Sequence, residues 1–276
     1  MLKRGLMLLA AALLCVPAIA AAQDAPCGGE RPCRIDGGTY HLALPDSWQG
    51  GPAVMFLHGY GGSGAKVAAN SGLVAAFIQR GYAVIAPSGL PWAEGKPADW
   101  SVRDGWSTYP RNDTDFLRAV LADAAHQAGV DPEQLLLSGF SRGGSMVWDM
   151  ACHVPEFAAG YAAVSGGFWL PMARDCKGPV RLLHIHGFAD TVVPLEGRAI
   201  PGTSVVQADV WEGLQLWRRE NGCPSNAASH EVEEGLWRKR WDCEAGGLEL
   251  ILHKGGHGLP KGWSKMALDW FESPKN

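Results

Sequence analysis

The sequence predicts a mostly parallel, doubly wound α/β sheet with helices on both faces. Three observations carry that expectation. Strand-like and amphipathic helical segments alternate along almost the whole chain, as they do when helices form the crossovers between parallel strands. Leu135, Leu136 and Leu137 run consecutively, so side chains on both faces are apolar and the strand is buried on both sides. Directly after them, Gly139-Phe140-Ser141-Arg142-Gly143 places a serine between that strand and a segment, 144–151, that can continue as a helix.

At the N-terminus, Lys3 and Arg4, an apolar stretch over 6–14 and Ala20-Ala21-Ala22 before Gln23 have the order of an export leader over residues 1–22. Its apolar part is short and interrupted by Pro17, so it does not suit a bilayer span. A secreted or periplasmic protein is expected, with residues 23–276 forming one α/β domain. The chain carries a formal net charge of −4, and the leader's own charges are both basic, so the remainder is more acidic still. That balance argues against nucleic acid or an anionic membrane surface as a partner. Of seven cysteines, Cys15 falls in the leader and an even number remain. Proximity along an exported chain favours Cys27–Cys33, Cys152–Cys176 and Cys223–Cys243 as disulfides, and no Cys-x-x-Cys spacing supports a zinc site.

The elements follow in order. Residues 38–45 alternate like a strand that Pro45 ends, and 53–57 form a buried strand running into His58-Gly59-Tyr60-Gly61-Gly62-Ser63-Gly64. The glycines there let backbone N–H groups approach a ligand closely, although the Walker and Gly-x-Gly-x-x-Gly phosphate patterns are absent. A short helix over 70–80 and a strand over 82–86 lead to a long loop, 87–111, holding Trp92, Trp100 and Trp106. Loops at strand carboxyl ends line the ligand crevice of open α/β sheets, so these three tryptophans are expected to form a substrate wall; the alternative is that they only pin the loop. Residues 112–129 read as a helix, with Asp113 and Asp115 in its first turn, Phe116, Leu117, Val120 and Leu121 at helical spacing, and Gly129 as its stop. Beyond the serine, strands are expected over 158–164, 180–187, 236–241 and 248–252. Helices are expected over 207–220 and 263–271.

A serine hydroxyl is a weak nucleophile until a base takes its proton, and an imidazole oriented by a buried carboxylate is the usual base. On a sheet of this kind the three occur in the order Ser, acid, His. The chain supplies Ser141, then Asp190 just past a strand end, then His257 in a glycine loop past the last strand. His184 and His186 lie within a strand and are expected to satisfy core hydrogen bonds, while His58 is expected to shape its loop. An acyl-transfer serine also needs a second N–H besides that of Arg142, and the loop beginning at His58 suits that role.

His58-Gly59-Tyr60-Gly61-Gly62, Gly139-Phe140-Ser141-Arg142-Gly143-Gly144, His186-Gly187-Phe188-Ala189-Asp190 through Val193-Pro194, and Gly256-His257-Gly258-Leu259-Pro260 together resemble the α/β-hydrolase esterases grouped with polyhydroxybutyrate depolymerases, feruloyl esterases and acetyl xylan esterases. Asn221-Gly222-Cys223 with Trp241-Asp242-Cys243 resembles that family's late cysteine pair. The resemblance implies an α/β-hydrolase fold, Ser141 as nucleophile, Asp190 as acid, His257 as base, and the Tyr60 and Arg142 N–H groups as oxyanion hole. It implies ester hydrolysis through an acyl-enzyme without metal or organic cofactor. The partner expected is a small-molecule or oligomeric ester, with hydroxyalkanoate esters first and feruloyl or acetyl xylan esters as the alternative. Rival readings are a serine peptidase, which would need an added lid or propeller domain, and a non-catalytic binding protein, which should lack one of the three residues. A cation at a helix N-terminus opposes the macrodipole by ~0.3–1 kcal/mol. The Arg142 side chain is therefore expected either to meet an acidic group of the substrate or to pair with an aspartate such as Asp113 or Asp115.

Overall fold

Alternating side chains of the central strands enter two different cores, which makes the sheet the middle layer of the molecule. Met55 and Leu57 lie in one apolar cluster with Leu135 and Leu137, whereas Val54, Phe56 and Leu136 lie in the other. The computed structural model describes residues 27–28, 31–102 and 109–274. The leader expected over 1–22 and the tryptophan at 106 lie outside the described residues.

Among the described residues ten strands form the main sheet: β1 (Cys33–Ile35), β2 (Gly38–Ala43), β3 (Gly51–Leu57), β4 (Ala83–Pro87), β5 (Val130–Phe140), β6 (Gly160–Val164), β7 (Arg181–Gly187), β8 (Ser229–Glu233), β9 (Leu236–Trp241) and β10 (Gly247–His253). Their order is β1-β2-β4-β3-β5-β6-β7-β10-β9-β8. The six inner strands, β4 to β10 in that order, are mutually parallel, and antiparallel strands finish both edges. Parallel neighbours need crossovers, and the helices supply them. On one face lie α3 (Asp113–Ala128), α4 (Arg142–His153) and α5 (Val210–Glu220); on the other lie α2 (Ser71–Gln79) and α6 (Trp263–Glu272), with the short α1 (Gly64–Ala68) beside them.

Local chemistry sets the helix ends. The Asn112 side chain accepts from the Thr114 and Asp115 N–H groups at the start of α3, and Gly129 ends it in the left-handed region at φ 67°. The α5 helix starts later than the periodicity predicts, at Val210, because Val206–Gln207 pairs with Arg198–Ala199 in a small hairpin and Asp209 caps the helix. The strand expected from 158 starts at Gly160, after a single 3-10 turn at Pro155–Phe157. The helix α1 and the edge strand β8 were not predicted; the latter reads Ser-His-Glu-Val-Glu, with no apolar alternation to mark it.

The six cysteines among the described residues are joined, as Cys27–Cys33, Cys152–Cys176 and Cys223–Cys243. Among the described residues no helix is long and apolar enough to cross a membrane.

Candidate active site

Strand β5 runs into α4 through one residue, Ser141, whose φ of 56° and ψ of −118° are strained for a side chain with a Cβ. The turn closes this tightly because glycines stand two residues to either side of the serine. A Cβ on Gly139 would stand 2.5 Å from the Gly143 carbonyl oxygen, and one on Gly143 would stand 2.0 Å from that of Leu57. The Ser141 N–H donates to the Val164 carbonyl at 2.9 Å, tying the turn to the end of β6.

Two loops at the same end of the sheet bring partners to that serine. The Ser141 hydroxyl is 3.0 Å from Nε2 of His257, and Nδ1 of the same ring is 2.8 Å from Oδ2 of Asp190. The Phe140 ring lies against the imidazole, with ring centroids 4.8 Å apart. With Asp190 ionised, Nδ1 donates to the carboxylate and Nε2 is left to accept from the hydroxyl. The other carboxylate oxygen, Oδ1, accepts the Val192 and Val193 N–H groups at 2.9 and 2.8 Å. Burial pushes the Asp190 carboxyl up, but hydrogen bonds from His186, the Val193 N–H and His257 outweigh it and hold the group well below the usual carboxylate range.

The turn that begins at His58 passes directly beside the nucleophile. A Cβ on Gly59 would lie 3.4 Å from that of Ser141. Gly62 N–H closes the turn on the Gly59 carbonyl at 2.9 Å, and Gly61 N–H binds the Ala98 carbonyl at 2.8 Å. Tyr60 sits at the tip of this turn and is 53% exposed. Arg142 is the first residue of α4, so its N–H is one of those left without an acceptor inside the helix. His58 shapes the turn from within. Its Nδ1 donates to the Gly59 carbonyl at 2.7 Å and its Nε2 accepts from Gly89 N–H at 2.9 Å.

Two expectations need correction. The Arg142 side chain neither points outward to a substrate nor reaches Asp113 or Asp115; it is buried, with Nε 2.6 Å from Oδ1 of Asp99 and Nη2 2.6 Å from the Trp100 carbonyl. Asp113 is engaged by Arg111 and by the Ser101 N–H, and Asp115 faces Arg118. Trp100 is not part of a crevice wall, because it has no exposed surface. Its Nε1–H donates to the His58 carbonyl at 2.8 Å and its ring lies against the His58 imidazole. Trp92 does stay at the surface, 38% exposed with the Lys96 ammonium over its ring.

Sequence reasoning missed an aromatic-lined cavity beside the loop that carries Asp190, although none of Ser141, Asp190 and His257 lines it. A cavity of about 430 Å³ is lined by Phe188, Trp211, Gly235, Trp237, Leu252, His253 and Lys254. Phe188 is 70% exposed and stands two residues before Asp190, its N–H bound to the His253 carbonyl. An apolar residue directly after the strand-ending His186-Gly187 was the available signal.

The phospholipase/carboxylesterase family matches residues 47–200, more than half of the chain. NocK of Nocardia uniformis subsp. tsuyamanensis, which is named as an esterase, is 31% identical over 85% of this chain and 72% of that protein. Feruloyl esterase C of Emericella nidulans is 27% identical, over 83% of this chain and 80% of that protein. Among solved structures, an acetyl xylan esterase from Aspergillus awamori superposes with a TM-score of 0.64 at 17% identity, covering 85% of this chain and 94% of the other. A Bacillus cereus carboxylesterase gives 0.57 at 15% identity over 86% and 94%. At those identities the structural likeness speaks for the fold alone, and the sequence matches speak for kinship. The chain belongs to the phospholipase/carboxylesterase family, carries the α/β-hydrolase fold, and is a carboxylic ester hydrolase.

Proposed function

We propose that this protein is a secreted or periplasmic serine esterase that works through an acyl-enzyme on Ser141, with hydroxycinnamoyl-type aromatic esters as its substrates. The observation that supports the reaction is the run of hydrogen bonds from Ser141 Oγ through His257 to Asp190, at 3.0 and 2.8 Å. In this reading Ser141 attacks the ester carbonyl while His257 accepts the hydroxyl proton, and the ionised Asp190 stabilises the imidazolium that forms. The N–H groups of Tyr60 and Arg142 hold the oxyanion. The imidazolium then gives its proton to the departing alcohol. Water repeats the path, releasing the acid and restoring the serine.

The aromatic reading is favoured over hydroxyalkanoate esters by two things: relatives named as feruloyl esterases, and an aromatic-lined cavity beside the loop that carries Asp190. A pocket walled by Trp211, Trp237 and Phe188 offers flat apolar faces suited to a planar acid. The three disulfides support an oxidising compartment, which agrees with the leader over residues 1–22.

A fluorophosphonate probe should modify the wild-type protein at Ser141 and leave Ser141→Ala unlabelled. Hydrolysis of methyl hydroxycinnamates should exceed that of hydroxybutyrate oligomers in kcat/KM. Labelling elsewhere, or none, removes the acyl-enzyme; a preference for the oligomers removes only the aromatic substrate.

A further inference from the structure

Beyond Arg181 at its start, strand β7 is apolar except for two histidines. His184 and His186 stand two residues apart on one face, and neither has exposed surface. Two imidazoles in a core are costly unless their ring nitrogens find partners. The partners here run in one direction, towards the acid of the site.

Nε2 of His186 faces two oxygens, the Val193 carbonyl at 2.8 Å and Oδ2 of Asp190 at 3.4 Å. A carbonyl and a carboxylate can only accept, so the His186 proton sits on Nε2 and is shared in a three-centre bond, the carbonyl taking the shorter arm. In the neutral ring Nδ1 of His186 is then an acceptor, and it meets Nε2 of His184 at 3.0 Å. Burial holds His184 well below the usual histidine range, so it has one N–H to give. Its own Nδ1 has no hydrogen-bond partner among the described residues, and the ring lies against Trp148. With both rings neutral, donation runs from His184 to His186, and from His186 to the Val193 carbonyl and Asp190.

The same loop closes a second circuit. The Val193 N–H donates to Oδ1 of Asp190, while its carbonyl accepts from His186. The loop carrying the acid is thus held from both sides of one residue. The carboxylate is gripped at Oδ1 by main chain, and at Oδ2 by His257 and His186 together. Without His186, the Val193 carbonyl is released and the plane of the carboxylate loses one of its anchors beside the oxygen that orients His257.

We propose that His186 is a positioning residue for Asp190, with His184 setting the tautomer that lets it act. The inference rests on the reading of Ser141, His257 and Asp190 as the reacting trio. Burial of both imidazoles beneath the loop, rather than at the crevice, means that the pair acts on the turnover step and not on substrate binding.

Three measurements on the full chain test this. His186→Phe, which keeps a ring but removes the donor, should lower kcat about tenfold to a hundredfold, as losing an orienting outer partner does elsewhere, with KM within about twofold of wild type. His186→Gln, whose amide nitrogen can reach the same acceptors, should recover most of kcat. Imidazole ¹⁵N NMR of the wild type should show His186 protonated at Nε2. Wild-type kcat in folded His186→Phe overturns the proposal, as does a His186→Gln no better than the phenylalanine variant, or a proton found on Nδ1 alone. If His186→Phe does not fold, the glutamine variant and the NMR tautomer still decide. Failure of the underlying reading looks different: the wild type itself neither hydrolyses an aryl ester nor takes the fluorophosphonate at Ser141.

Discussion

Arg142, the residue that follows the proposed nucleophile, is joined to Asp99 by a 2.6 Å ion pair across 43 residues of chain, with both side chains buried. The Tyr109 hydroxyl donates to the other oxygen of Asp99 at 2.7 Å, and the Arg142 guanidinium lies over the Trp169 ring. The start of α4 and the loop beyond β4 are thereby fastened together directly behind the turn at Ser141.

Breaking one half of such a pair leaves a charge in the core, and that is where its energetic weight shows. Asp99→Ala should cost about 3–5 kcal/mol in urea unfolding. Adding Arg142→Met should restore part of the loss, because the stranded cation goes with it. A double variant as unstable as the sum of the two single ones would mean that the pair is not coupled in this way.

Backbone strain at Ser141 makes a second prediction. Residues with a Cβ in so sparse a region cost about 1–3 kcal/mol, whereas glycine occupies it freely at a small entropic penalty in the unfolded chain. Ser141→Gly and Ser141→Ala should both abolish ester hydrolysis. The glycine variant should be more stable by about 1 kcal/mol, read as the difference in their urea midpoints. Equal midpoints would place the strain elsewhere.

His58 makes stability depend on pH. Burial holds its imidazole below the ordinary value, against an opposing effect of the Gly59 carbonyl, which accepts its Nδ1 proton. As pH falls through about 6.5 the unfolded chain takes up this proton and the folded one does not, until its own lower value is reached. Stability is therefore full above about pH 6.5 and declines through that window, with a slope of at most ~1.4 kcal/mol per pH unit from this one group. His58→Gln should flatten the fall in melting temperature between pH 7 and 5. An unchanged slope would assign the effect to other groups, of which His184 has the same sign.

The Cys152–Cys176 bond anchors the C-terminal end of α4, the helix that starts at the nucleophile turn, with a sequence separation of 24. Replacing both cysteines by alanine should cost about 2–4 kcal/mol, chiefly by freeing the unfolded chain. Denaturant midpoints of the variant and the wild type, both without reductant, measure it. A loss well below 1 kcal/mol would mean that packing alone holds this end of the helix.

What the sequence determined by itself was whatever depends on neighbouring residues. The triple leucine of β5, the glycines around Ser141 and the aspartates in the first turn of α3 each act over a few positions, so their pattern carries the strand, the turn and the helix start. Three disulfides between successive cysteines were legible for the same reason, and so was the order of Ser141, Asp190 and His257 along the chain. Only the tertiary structure decided which distant groups meet. Asp99 rather than Asp113 took Arg142, Trp100 turned inward beneath His58, and Phe188, Trp211 and Trp237 came together around one cavity. Nor could spacing show that His186 would stand behind Asp190, since that follows from how the loop after β7 folds back on its own strand. Backbone conformation is chosen by local sterics and hydrogen bonding; a buried charge or ring finds its partner wherever the packed chain returns, and no short stretch of sequence records that.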